Sequence, residues 1–298
     1  VDDARLVSWG REHDVVRLWD VAAEPRLVRR WSLGPGLLSA TLAPGPRLLV
    51  GGYAPGLMAI ALESSDAPTL VAPLVHPVTG LDASRDGRIV VAGGAAGGVD
   101  VLERRPDGTY RAVRTLDGHA SELRVVSFSP DEALLVTGSG GGVGHDSADN
   151  LIQVWDTTTW KGLALHRLDS RPNSASWSTD GAVLAIGTSG YRLHLADARA
   201  PEREPVELHG TGTTQVAAGF DRSPPAHGGA VRDAAFTRDG ALLFSVCGEW
   251  DVPEAENGLR VWRVDARAEE RDRAFAGRRS ALLSIDLSPD GTRLAIGF

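Results

Sequence analysis

Lysine is almost missing from this chain. Among its 31 basic residues only Lys161 is a lysine, and the arginine bias points to a high-GC genome rather than to a function. Cysteine is reduced to Cys247, which excludes an intrachain disulfide and a thiolate metal cluster. Met58 is the single methionine, inside a strand-like run, and the first residue is Val1. The sequence therefore reads as a fragment or excised domain, so a missing leader says little about compartment. No apolar run is long enough to cross a bilayer; even the richest region, 37–62, is broken by Gly, Pro and Arg. Positive charge is outweighed as well. A net charge of −8 and a pI near 5.5 oppose a polyanion-binding surface, so neither nucleic acid nor membrane is expected as a partner. Helical periodicity is lacking, and 35 glycines, 17 prolines and many β-branched residues oppose it. What remains is a soluble, cytoplasmic all-β chain of 298 residues, a length that one cooperative domain over 1–298 accommodates.

What is present is repetition. The segment NLIQVWD (150–156) recurs as DVVRLWD (14–20) and GLRVWRV (258–264), with weaker copies GLMAIAL (56–62), GVDVLER (98–104) and YRLHLAD (191–197). Aligned on Trp19, Ala61, Leu102, Trp155, Leu195 and Trp262, they are spaced by 42, 41, 53, 40 and 67 residues. FSPDEALLVTG (128–138) recurs too, as ASRDGRIVVAG (83–93), WSTDGAVLAIG (177–187), FTRDGALLFSV (236–246) and LSPDGTRLAIG (287–297). LAPGPRLLVGG (42–52) is a degenerate copy, and the N-terminal VDDARLVSWG is the end of another. Short strands with turn chemistry at a period near 40 are the signature of propeller blades, and the two long spacings are the same unit carrying insertions.

Each unit reads as four strands. A first strand ends in a Ser-Pro-Asp-Gly type turn, in which Pro fixes φ and Gly takes a positive φ. A second strand such as LLVTG follows, then a connection, a third strand ending in Trp-Asp, and a looser fourth strand such as KGLALHRL. First and second strands are apolar on both faces, so one blade cannot bury itself and several must stack. First-to-second turns fall at Asp3, Gly45, Asp86, Asp131, Asp180, Asp239 and Asp290. The expected fold is a β-propeller of four-stranded antiparallel blades, seven in number, with five complete and the terminal ones incomplete. A six-bladed ring is the alternative.

The combination of Gly118-His119, SFSPD, LLVTGS and IQVWD resembles the WD-repeat β-propeller family, in its bacterial form with frequent SPDG turns. The resemblance runs along essentially the whole chain, most strongly at 115–160 and 230–264. It implies an internal hydrogen-bond tetrad of His119, Thr137, Asp149 and Trp155, complete in this blade alone. Elsewhere Ala61 and Leu102 replace the tryptophan and Arg263 the terminal aspartate. It also implies an interaction module of the kind that bacteria attach to kinases, proteases or NTPases.

The glycine-rich segment 138–150 raises three chemical options. It lacks Gly-x-Gly-x-x-Gly and Gly-Lys-Ser/Thr, and it joins strand to strand with no helix N-terminus, so a phosphate loop has no support. His145, Asp146 and Asp149 could ligate a metal, as could Glu249, Asp251, Glu254 and Glu256 of the second such connection, 248–258. Neither matches a calcium loop, and acidic glycine-rich loops are usually solvated, so no metal and no cofactor is expected. Catalytic signatures are missing too: no Gly-x-Ser-x-Gly, no His-Glu-x-x-His, no thiol with a base. His209 and His227 bracket a third insertion, 210–229, which reads as a loop.

All three insertions are second-to-third or fourth-to-first connections, which emerge on the same side of a blade. First-to-second turns stay short. One face is thus elaborated, and loops on a rigid scaffold are where recognition residues gather. Trp250, a large aromatic in an acidic loop, is the expected anchor, surrounded by Asp146, Glu249, Asp251, Glu254 and Glu256. The expected function is a non-catalytic scaffold that binds a protein or peptide of basic character through this face. The alternative is a ligand-binding, metal-binding or hydrolytic propeller using the same acidic loops.

Overall fold

The computed structural model describes residues 4–10, 15–34, 36–54, 56–141, 149–210, 226–248, 258–274 and 281–298. Among them are 25 strands and no helix. The strands form antiparallel sheets whose spatial order follows the chain. The first has three: β1 (Arg5–Gly10), β2 (Val15–Asp20) and β3 (Arg26–Ser32). Four-stranded sheets follow. The second is β4 (Leu37–Ala43), β5 (Arg47–Gly52), β6 (Leu57–Ala61) and β7 (Thr69–Ala72). The third is β8 (Val78–Ala83), β9 (Ile89–Gly94), β10 (Val99–Arg104) and β11 (Tyr110–Leu116). The fourth is β12 (Leu123–Phe128), β13 (Leu134–Ser139), β14 (Leu151–Asp156) and β15 (Lys161–Arg167). The fifth is β16 (Pro172–Trp177), β17 (Val183–Thr188), β18 (Leu193–Asp197) and β19 (Val206–Leu208). The sixth is β20 (Val231–Phe236), β21 (Leu242–Cys247), β22 (Gly258–Arg263) and β23 (Ala268–Ala274). The last has two strands, β24 (Ser284–Leu287) and β25 (Leu294–Gly297). The described residues are all-β, a succession of antiparallel blades, and the five complete sheets among them are those that the turn positions mark.

The turn chemistry explains why each unit starts as it does. In Ser84–Gly87, Ser84 Oγ donates to Asp86 Oδ1 at 2.7 Å, Arg88 N–H reaches the same oxygen, and Gly87 takes a φ of 65°. The turns at Asp131, Asp180, Asp239 and Asp290 repeat the hydroxyl-to-carboxylate bond at 2.5–2.7 Å. Where glycine is replaced, in Ser-Pro-Asp-Glu, Glu132 is forced into the same left-handed backbone at φ 60°. Glycine was the expected occupant of that conformation; the serine–aspartate bond holds it without one.

Two compact units divide the chain, Val1–Phe128 and Ser129–Phe298. In the first, Val16, Leu18 and Trp31 pack with Leu37, Leu48 and Ile60, joining the first sheet to the second. Leu49 and Leu57 point the other way, onto Val78, Leu81, Val90, Leu102 and Tyr110 of the third. Successive strand residues alternate faces, so Leu48 and Leu49 serve two different cores. In the second unit Leu193 and Leu195 pack with Val231, Phe236, Leu243 and Trp262, and on the far side of that blade Val246 and Leu259 meet Leu282 and Ile285. Blades bury each other face to face, as strands apolar on both sides require. First strands are also stapled. Asp82 accepts Thr41 Oγ1 at 3.0 Å and Phe128 N–H at 2.8 Å; Asp233 accepts Ile285 N–H at 3.1 Å.

Candidate functional site

Three third strands carry tryptophan, and each indole finds the same kind of partner. Trp155 Nε1 donates to Thr137 Oγ1 at 2.8 Å, Trp262 Nε1 to Ser245 Oγ at 2.7 Å, and Trp19 Nε1 to Ser8 Oγ at 2.8 Å. Register explains the recurrence. Thr137, Ser245 and Ser8 lie opposite Gln153, Arg260 and Arg17, in each case the residue two before the tryptophan. The indole leans back along the strand to a diagonal hydroxyl, giving its N–H the partner that burial demands. Where Ala61, Leu102 and Leu195 replace the tryptophan, the diagonal positions hold Leu49, Ala92 and Gly187, and no hydroxyl is needed.

The structure brings Thr137 and Trp155 of the implied tetrad into direct contact. Asp149 is 8% exposed and accepts Ser139 Oγ at 2.8 Å, a serine that sequence reading did not single out. His119 is half-buried in the β11–β12 connection.

His227 is a residue to which sequence reading gave no bonding role. At one end of the 210–229 insertion, as expected, it is fully buried, and its Nε2 lies 2.6 Å from Ser245 Oγ. Its ring meets Trp262 edge-on at 6.1 Å, so histidine, serine and tryptophan form a second network, like the one that the resemblance implies for His119, Thr137 and Trp155. A signal was available: His119 stands nine residues before Phe128 and His227 nine before Phe236. The long insertion hid it. In the third sheet the corresponding connection supplies His76, whose Nε2 pairs with Asp100 at 2.8 Å instead.

Charge is buried beside this second network. Arg260, 1% exposed, donates from Nη1 to Ala226 O at 2.6 Å and lies 3.6 Å from Glu269 Oε2. Burial, reinforced by the Arg260 charge, holds His227 well below the ordinary histidine range. Burial also pushes Asp233 up to about 7, with Asp286 adding to the rise and backbone bonds from Ile285 and Ala234 opposing it. These two groups tilt stability in opposite directions. As pH falls through about 6.5, the unfolded chain binds a proton that folded His227 refuses, and stability declines. Between about 4 and 7, folded Asp233 keeps a proton that the unfolded chain has released, so stability declines as pH rises. Asp233→Asn is therefore expected to be more stable than wild type at pH 8 and to lose that advantage at pH 4. Urea midpoints measured across this range check it, and a constant difference between the two proteins would refute it.

On the side where second-to-third and fourth-to-first connections lie, the second unit is tightly cross-bonded. Arg167 Nη1 donates to Asp149 O at 3.0 Å, and Ser189 N–H to Arg171 O at 2.9 Å. His227 N–H reaches Tyr191 O at 3.1 Å, and Gly248 N–H reaches Ala230 O at 3.2 Å. Arg192 bonds Asp169 through Nε at 2.5 Å and Glu207 through Nη1, while His209 Nδ1 stands 3.7 Å from Glu207. The described flanks of all three insertions thus belong to one bonded set of connections. His145, Asp146, Glu249, Trp250, Asp251, Glu254 and Glu256 lie outside the described residues. Among the described residues no group of three or more His, Cys, Asp or Glu could hold a metal ion. No helix of the described residues is long and apolar enough to cross a membrane.

Residues 110–156 match the family model described as WD domain, G-beta repeat. The chain is similar to pre-mRNA-processing factor 19 homolog 2 of Arabidopsis thaliana, with 24% identity over 74% of this chain and 35% of that protein. It is also similar to echinoderm microtubule-associated protein-like 2 of Rattus norvegicus, with 25% identity over 59% of this chain and 23% of the relative. A third similar protein is WD repeat-containing protein SL1-17 of Schistosoma mansoni, 28% identical over 46% of this chain and 37% of its own length. The matches thus span about a quarter to a third of these curated relatives.

Proposed function

We propose that this chain is a WD-repeat β-propeller, as its matches suggest, and a protein-interaction scaffold without catalytic activity of its own. It captures a protein or peptide partner of basic character through the side on which its long connections lie. The supporting observation is the bonded set of connections in the second unit, where rigid backbone carries the roots of three insertions while the turns at Asp131, Asp180, Asp239 and Asp290 stay short. A stiff base with variable loops above it is the arrangement that places recognition residues accurately at low entropic cost. Among the similar proteins, one is named for pre-mRNA processing and another for association with microtubules.

Trp250 is the proposed anchor, with Asp146, Glu249, Asp251, Glu254 and Glu256 supplying the acidic surround. Trp250→Ala combined with neutralisation of those five carboxylates is expected to abolish capture from cell extract while leaving the unfolding midpoint unchanged. Capture by wild type should weaken as salt rises. Undiminished capture by the substituted chain would refute this surface.

The chain is further proposed to act as one domain over 1–298. Calorimetry is then expected to show one transition with matching calorimetric and van't Hoff enthalpies. Two separable transitions would make Val1–Phe128 and Ser129–Phe298 independent domains instead.

A further inference from the structure

Four connections of the first unit carry no charged residue. Residues 33–36, 53–56, 73–77 and 95–98 join β3 to β4, β5 to β6, β7 to β8 and β9 to β10. All are fourth-to-first or second-to-third connections, which emerge on the same side of their blades. None contains Asp, Glu, Lys or Arg, whereas every such connection of the second unit does. Charge returns at the borders, in 11–14 and in Asp117 and Glu122, the last paired with Arg124 at 2.9 Å. Asp100, beside the last connection, is taken up by His76 and Thr115.

Close packing joins these connections into one surface. Tyr53 N–H donates to Gly36 O at 2.9 Å, and a Cβ at Gly36 would stand 2.4 Å from Tyr53 Cδ2, so the ring rests on bare backbone. A Cβ at Gly56 would stand 3.0 Å from Ala72 O and 3.9 Å from Leu74 N, which seats the second connection against the third. A Cβ at Gly94 would meet His76 Nδ1 at 2.8 Å, which sets the third connection against the fourth.

Two large apolar side chains project from this surface. Val75 is 96% exposed and Tyr53 63%. Val75 cannot turn inward. Leu74 before it is buried with Leu49, Leu57 and Val78, and His76 after it is held by Asp100 at 2.8 Å. Pro73 and Pro77 stiffen the backbone on either side. Ala54, Pro73, Ala95 and Ala96 are exposed around the two anchors. Apolar groups held in water by rigid backbone mark an interface, because docking onto them orders little that was free. Charge decides what docks. A charged group brought here would shed water and meet no opposite charge, whereas an aliphatic side chain gains burial.

We propose that Tyr53 and Val75 anchor a docking surface for an uncharged, aliphatic segment of a partner protein. None of its residues belongs to the acidic loops, so it stands independently of the capture surface assigned to them. The test uses the full chain and two labelled Gly-Ser peptides of equal length, one carrying three leucines and the other three arginines. Wild type is expected to bind the leucine peptide with an affinity that does not fall as salt rises. Tyr53→Ser/Val75→Ser should weaken that binding by about tenfold or more, without weakening any binding of the arginine peptide. Its urea midpoint should equal that of wild type, because both side chains are exposed. Val75→Ser alone should weaken binding in the same direction, which keeps the test open if the Tyr53 substitution disturbs Gly36. Leucine-peptide binding that is absent in wild type, or unchanged in the variants, overturns the proposal. Sedimentation at rising concentration tests the other occupant: a wild-type dimer that the double variant loses would give the surface to a second copy of this chain and overturn the proposed partner.

Discussion

Trp155→Ala is expected to lower the unfolding free energy by about 3–5 kcal/mol. Trp155 is 4% exposed in the fourth sheet, and its removal opens a cavity that neighbouring strands, fixed by their own ladders, cannot fill. It also takes away the indole N–H bonded to Thr137 Oγ1, and Thr137 is fully buried. Trp155→Phe separates the two contributions: it keeps most of the volume and loses only the bond, so its cost should be about 1–2 kcal/mol. Asp149→Ala should be clearly damaging as well, since it leaves buried Ser139 without the carboxylate it donates to, whereas Asp146→Ala should be close to neutral. Urea unfolding at constant pH measures all four. If Asp149 and Asp146 prove equally tolerant, the buried role of Asp149 is wrong.

Arg260→Ala is expected to be comparably severe, at about 3–5 kcal/mol, because it removes a buried guanidinium from beside the buried Glu269 carboxylate and from Ala226 O. The side chains of Arg260 and Glu269 are 1% and 2% exposed, and Arg260 also caps Ala226 O at the root of the 210–229 insertion. Removing one charge of such a pair costs far more than the pair itself contributes, so the double variant Arg260→Leu/Glu269→Leu should recover much of the loss. A second readout follows from electrostatics. Arg260 is part of what keeps His227 neutral, so the single variant should move the His227 ring toward its ordinary range, visible by NMR titration. A variant as stable as wild type, with His227 unmoved, would show that the pair is not coupled to the histidine.

Most of the architecture was legible because it depends on local rules repeated at a fixed period. The Ser-Pro-Asp-Gly turns need only neighbouring side chains and a permissive φ, so their positions alone mark where β8–β9, β16–β17 and β20–β21 turn back. Apolar character on both strand faces required stacking partners, and Leu48 and Leu49 indeed serve different cores. The Trp-bearing third strands were equally plain. What no local rule could supply was the partner of each buried polar group. His227 and Ser245 are 18 residues apart, and Arg260 meets Ala226 across 34. Such bonds form only when sheet register and an intervening insertion bring the groups together, and a one-residue slip would turn each side chain to the other face. Tyr191 belongs to the same class. Nothing local in Ser-Gly-Tyr-Arg says that the tyrosine rather than Gly190 takes the left-handed backbone. Hydrogen bonds to Ser170 Oγ and Arg171 O, and one from His227 N–H, hold the hairpin with that conformation at the tyrosine. The sequence by itself determined the blades, because strand and turn formation are short-range. Tertiary structure alone decided which polar residues are buried together and which side chain is held under strain, because both depend on groups that meet only when the sheets stack.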